Sequence, residues 1–133
     1  MAQGTGSVWE MTPHELGQAG ERASARYLEG RGFEVVERNW RCEAGEVDLV
    51  VRDDDGTLVL VEVKTRLAPE GTTTWPELAV GEEKLSRYRR LARVYLASHP
   101  LEEELRFDVV GVSVVGESHA HVRHLSNVWL GDA

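Results

Sequence analysis

The chain is poor in several things that would each have announced a class of function. It has one cysteine, Cys42, in 133 residues, so no internal disulfide can form and a reducing compartment is expected. It has no apolar run near the roughly 18 residues of a membrane span. Residues 1–11 lack the basic start and apolar stretch of a secretory signal, so a cytoplasmic protein is expected. An excess of positive charge is also missing. The net charge is −8, which argues against a high-affinity, sequence-blind DNA coat. Lysine is scarce too, with Lys64 and Lys84 set against 13 arginines.

What remains is a globular composition of 41% hydrophobic and 29% charged residues, with no internal repeat. The length suits one domain with a sizeable core. The expected organisation is a mobile tail over residues 1–11 and a single domain over residues 12–133. Thr12, Pro13 and Glu15 spell a capping box with proline at the first helical position. Leu16, Gly20, Ala23 and Tyr27 form the expected inner face of that helix, and Gly30 and Gly32 its end. Strands are expected over residues 33–38, 46–52 and 57–65, then a loop over 67–81 rich in Gly, Pro and Thr. A second helix is expected over residues 82–98 with Leu85, Tyr88, Ala92 and Tyr95 buried, followed by strands over 105–115 and 120–124. The order α-β-β-β-α-β predicts an α/β fold.

The hairpin of the second and third strands carries the chemistry. Alternation places Glu46, Asp48, Val50 and Arg52 on one face and Val47, Leu49 and Val51 on the other. The next strand sets Val59, Val61 and Val63 against Leu58, Leu60, Glu62, Lys64 and Arg66. A three-residue turn at Asp54, Asp55 and Gly56, glycine left-handed, puts Asp48 opposite Glu62 and Glu46 opposite Lys64. A two-residue turn would put Asp48 against Val63, which the apolar pattern forbids. The plain reading is a pair of cross-strand salt bridges on a solvated face. Against it, the charged face turns apolar toward Leu58 and Leu60, and facing acids repel unless a cation or proton intervenes. Lysine, a compact point charge, stands at 64 in a chain that otherwise uses arginine.

Asp48 followed after thirteen residues by Glu62-Val63-Lys64 resembles the PD-(D/E)XK nuclease superfamily. A longer set of motifs resembles the bacterial YraN-like family more closely: Leu16-Gly17, Gly20-Glu21, Tyr27-Leu28, Asn39-Trp40-Arg41, Gly45-Glu46-Val47-Asp48-Leu49-Val50, Val61-Glu62-Val63-Lys64-Thr65-Arg66, Lys84 and Phe107-Asp108-Val109-Val110. Val47 departs from the proline usual before the aspartate, and the loop around Trp75 has no counterpart. The resemblance implies a restriction-endonuclease-like core, a mixed sheet flanked by helices. It implies Asp48, Glu62, Lys64 and Glu21 as catalytic residues. Asp48, Glu62 and the Val63 carbonyl would be metal ligands, with Glu21 a further acid. Mg²⁺ or Mn²⁺ suits such oxygen donors.

Other residues have two readings each. Glu46 either supports the ligands from behind or neutralises Lys64. Lys84, Arg87 and Arg90 belong to a basic cluster with Arg89 and Arg93, read either as a solvated face or as a DNA-contacting patch. Asp108, an acid in an apolar strand, is expected to pair with an arginine. His119, His121 and His124 suggest zinc to the eye but lack cysteine partners. Trp9, Trp40 and Trp129 are expected to pack, while Trp75 is open to packing or base stacking. The resulting expectation is a Mg²⁺-dependent endonuclease acting on DNA, with a resolvase-like, branched substrate and a homodimer by analogy. The rival is a catalytically silent nucleic-acid-binding or scaffolding protein, and an RNA substrate is not separated from DNA.

Overall fold

Five strands in the order β1-β2-β3-β4-β5 form one mixed sheet in a computed structural model, which describes residues 8–69, 71–102, 104–117 and 119–128. The elements run α1 (Pro13–Gly30), β1 (Glu34–Cys42), β2 (Gly45–Arg52), β3 (Leu58–Leu67), α2 (Glu82–Ser98), β4 (Leu105–Gly116) and β5 (His119–Leu125). Only β3 and β4 are parallel, joined by the crossover through α2. This is the element order and mixed sheet expected of the restriction-endonuclease-like core. Residues 1–7 of the expected tail, and Trp129, lie outside the described residues; Val8–Glu10 form one 3-10 turn. Among the described residues no helix is long and apolar enough to cross a membrane.

The helix signals in the sequence work as chemistry. The Thr12 hydroxyl accepts from the Glu15 amide while the Glu15 carboxylate accepts from the Thr12 amide, leaving fewer unpaired donors at the helix start. At the other end Gly32, at φ 97°, donates to the Glu29 carbonyl and Phe33 to that of Leu28, a Schellman end that needs glycine's left-handed backbone. The buried face differs from expectation. Leu16, Ala23 and Tyr27 are half-buried, and Gly20, Ser24, Ala25 and Leu28 are the inner residues. The helix is rotated because Gly20 docks directly on β3: a Cβ there would stand 1.8 Å from Thr65 Oγ1. Gly20→Ala should therefore lose stability although alanine is intrinsically the better helix former by about 1 kcal/mol. Overpacking costs of about 1–3 kcal/mol or more are expected to win, read as a lower denaturation midpoint. A midpoint at or above wild type would refute this close docking.

Each face of the sheet is covered. Leu58, Leu60, Phe107 and Val109 pack with Tyr88, Leu91, Ala92 and Tyr95 of α2. Leu49, Val51, Val59, Val61, Val110 and Val112 pack with Ala25 and Leu28 of α1. The second strand does not alternate cleanly, however. Val47 joins Val50 in the cluster beneath α2, while Leu49 lies beneath α1. The expected grouping of Glu46, Asp48, Val50 and Arg52 on one face is thus broken near Asp48. The first strand was expected to end at Arg38 and instead runs to Cys42, with an irregularity between Val35 and Glu37. The loop over residues 67–81 is not featureless either. It holds a 3-10 turn, Pro76–Leu78, that buries Leu78.

Candidate active site

The site is built where β2 and β3 part. Their hairpin has the expected register: the Asp53 amide donates to the Thr57 carbonyl, and Gly56 is left-handed at φ 92°. Pairs run Arg52–Leu58, Val51–Val59, Val50–Leu60 and Leu49–Val61, and there the ladder stops. The next residue, Asp48, uses its side chain instead: Oδ2 accepts the Val63 amide at 2.7 Å. A carboxylate has replaced a backbone carbonyl as the partner of β3. On the other side of β2 the position facing Asp48 is Asn39, between the pairs Arg38–Leu49 and Trp40–Val47. Asn39 has φ 52°, a conformation asparagine tolerates better than most residues. Both neighbours of β2 are therefore irregular at Asp48, which explains the change of face at Val47.

Acids gather around this notch. Docking of Gly20 on Thr65 brings the next residue of α1, Glu21, toward the notch. The Asn39 amide nitrogen donates to Glu21 at 3.3 Å and to Glu46 at 3.2 Å, tying α1 to β1 and β2. Burial pushes the Asp48 carboxyl up to about 7, opposed by the Val63 amide and reinforced by the charges of Glu21, Glu62 and Glu46. Glu62, on β3, is mostly buried and forms ion pairs with Lys64, at 3.4 Å, and with Arg87 of α2. Its Oε2 has no hydrogen-bond partner among the described residues, nor has the buried Tyr88 hydroxyl. The Tyr88 proton is held more tightly than usual, by burial first and by the charge of Glu62 second.

Several expected contacts are replaced by others. Glu46 does not face Lys64, because the β2–β3 ladder ends before that pair; it bonds Asn39 and pairs with Arg41 at 3.6 Å. Lys84 donates to the Glu77 carbonyl at 3.1 Å and so ties the loop to α2. Arg87 reaches Glu62 rather than solvent alone, whereas Arg89, Arg90 and Arg93 are exposed. Trp75 packs: it rests against Gly111 and carries the Arg66 guanidinium 4.2 Å over its ring. Trp40 packs edge-on against Tyr95, while Trp9 is half exposed. His124 bonds Asp108 at 2.8 Å, and among the described residues the three histidines form no cluster of metal-ligand spacing. Asn39 was assigned no role from the sequence, although it stood in the Asn39-Trp40-Arg41 motif just past the expected end of the first strand.

The donors gathered at the notch are carboxylate oxygens, the kind a hard divalent cation takes. A buried Glu62 oxygen that makes no hydrogen bond and has only the Lys64 ammonium 3.4 Å away, and an Asp48 carboxyl that resists ionisation, are what such a cation would relieve. The residues therefore fit a hard divalent cation. Glu21, Asp48 and Glu62 are nevertheless not drawn together as tightly as Asp53, Asp54 and Asp55, whose ligand atoms lie within 4.8 Å of one another. That second group is accounted for by the hairpin: Asp53 accepts from Arg106 and the Asp54 amide, and Asp55 from the Thr57 amide.

The model of the family described as "Uncharacterised protein family UPF0102" matches residues 20–112. A UPF0102 protein of Beutenbergia cavernae is 50% identical over 114 residues, covering 85% of this chain and 94% of its own. Among solved structures, a repair endonuclease from Pyrococcus abyssi superposes with a TM-score of 0.45 at 21% identity, over 80% of this chain and 41% of that one. The protein of an EndoMS–dsDNA2 complex gives 0.43 at 18% identity, over 77% of this chain and 38% of that one. This chain thus spans less than half the length of either.

Proposed function

The chain belongs to the UPF0102, or YraN-like, family, and from that premise we propose that it is a metal-dependent endonuclease that hydrolyses phosphodiester bonds in DNA. The observation that carries this reading is Asp48: a half-buried carboxyl in the place of a ladder hydrogen bond, crowded by Glu21, Glu46 and Glu62. A protein selecting for stability alone has no reason to gather four acids there, and perturbed carboxyls in a strand gap mark functional sites. Asp48, Glu62 and the Val63 carbonyl would hold the cation, with Glu21 as a further acid. Such an ion, when bound, polarises a phosphoryl oxygen and lowers the pKa of the attacking water.

The chain's own groups do the rest. Lys64, two residues from Glu62 and on the same face, places its ammonium beside the acid, from which it orients the water and offsets charge on the phosphate. Asn39 holds Glu21 and Glu46 in position and so keeps α1 seated over the notch. Arg87 steadies Glu62 from α2. A branched substrate cut symmetrically on two strands requires a homodimer, which belongs to the same proposal.

The test is cleavage of labelled duplex, single-stranded, flap and four-way-junction DNA with Mg²⁺ or Mn²⁺. Lys64→Ala should lower turnover by about 10²–10³-fold, and Asp48→Asn should leave none measurable. The Arg87–Glu62 pair favours one rival, a silent DNA-binding protein in which arginine stands where a cation would. No cleavage by wild type on any substrate, or equal cleavage by all three proteins, would move the assignment to that rival.

A further inference from the structure

Beyond Lys64 the same face of the sheet runs into a cavity that the catalytic reading leaves unused. Register sets its floor. Lys64 pairs with Gly111 and Gly111 with Arg123; Arg66 pairs with Ser113 and Ser113 with His121. Register partners point to the same side of a sheet, so Lys64, Arg66, His121 and Arg123 share the face of Glu62. Gly111 leaves room on β4: a Cβ there would stand 2.7 Å from Leu78 and 2.8 Å from Trp75. The loop between β3 and α2 therefore lies down on β4, and Trp75 forms a wall.

Between that loop and β5 is a cavity of about 500 Å³, lined by Arg66, Trp75, Ser113, His121 and Arg123 together with threonines of the loop. No acid is among its described lining residues, in a chain of net charge −8. Arg66 is built in. Its Nε donates to Ser113 Oγ at 2.9 Å, an Nη to the Thr74 carbonyl at 2.9 Å, and its plane lies over Trp75. Two of its five N–H donors are thereby used, and three remain for an anion. With its ring face covered by Arg66, Trp75 is a strut for the guanidinium rather than a platform for a base.

We propose that this cavity binds a phosphodiester of the DNA strand beside the reacting one, with Arg66 and Arg123 supplying charge and His121 a hydrogen bond. The proposal rests on the nuclease reading for the identity of the strand. Lys64 and Arg66 are two residues apart on one strand, about 6.6 Å, so a strand with its reacting phosphate at Lys64 passes directly to the cavity. A backbone contact of this kind adds affinity and salt dependence without sequence preference.

The test is fluorescence anisotropy of a labelled single-stranded DNA in EDTA, where no cleavage occurs, over a range of salt. Arg123 is exposed, so Arg123→Ala should keep the wild-type melting temperature. It should weaken binding roughly tenfold and lower the salt slope by about one, with Arg123→Lys restoring most of both. Arg26→Ala, which removes an equal charge from the exposed face of α1, should change neither. Wild-type affinity and slope in Arg123→Ala overturn the proposal, as do an equal loss in Arg26→Ala, tighter binding of the matching RNA, or no binding by wild type. Because binding is read without metal, an Arg123-dependent loss in a protein that never cleaves supports the cavity and removes only the catalytic reading.

Discussion

Asp48→Asn should make the protein more stable at neutral pH while it removes cleavage. The Asp48 carboxyl is pushed up to about 7, chiefly by burial, so the folded protein holds a proton that the unfolded chain gives up near 3.8. A raised carboxyl stabilises the fold below the unfolded value, and that contribution is lost as pH rises toward the folded one. At about 1.36 kcal/mol per pKa unit, a rise from 3.8 to about 7 bounds the cost at about 4 kcal/mol. Water reaching the half-buried side chain reduces the expected gain to about 2 kcal/mol. Asparagine retains an oxygen for the Val63 amide and cannot ionise. Denaturant unfolding between pH 4 and 7.5 checks this: wild type should weaken as pH rises, and Asp48→Asn should lack that part of the slope. Adding Mg²⁺ at pH 7.5 should stabilise wild type and leave the variant unmoved. A variant less stable than wild type at pH 7.5 would mean that the notch does not strain Asp48.

Asp108→Ala should have the opposite effect and a larger one. Asp108 is fully buried in β4, yet it is surrounded by donors: Arg106 through Nε at 3.0 Å and an Nη at 3.2 Å, His124 at 2.8 Å and the Asn127 amide at 2.8 Å. Burial, the largest single influence, would raise its pKa; the hydrogen bonds from His124, Arg106 and Asn127 outweigh it and hold the carboxyl below the usual range. Its contribution is therefore present above the unfolded carboxyl value and lost as pH falls. Removing the carboxylate leaves a half-buried guanidinium, an imidazole and an amide without their common acceptor. Breaking a buried pair in this way costs about 3–5 kcal/mol. The guanidinium chloride midpoint at pH 7.5 measures it, with Asp108→Asn expected to recover only part. A loss under about 1 kcal/mol would show that water replaces the carboxylate and that the cluster does not anchor β5.

The contrast between these two aspartates shows what the sequence could and could not disclose. Both were singled out from pattern alone, one by its spacing to Glu62-Val63-Lys64 and one as an acid in an apolar strand. Their opposite energetics depend on partners distant in the chain. Asp48 meets one amide and three acids, whereas Asp108 meets donors from three residues, one of them on β5.

The sequence by itself determined what is local. The capping box at Thr12, the glycine end at Gly32 and the three-residue turn at Gly56 each depend on neighbours a few residues apart, and alternating valines then set the β2–β3 register. Nearest-neighbour sterics and period-two burial suffice for such features. Only the tertiary structure decided where that register stops, because the end of the ladder is set by a side chain competing with the backbone for the Val63 amide. It also decided the inner face of α1, through the contact of Gly20 with Thr65, and the pairing of Glu62 with Arg87 across 25 positions. Each is a packing outcome of two elements whose relative placement no spacing encodes. The same holds for the cavity beyond Lys64, whose cations come from strands that meet only when the crossover through α2 closes the sheet.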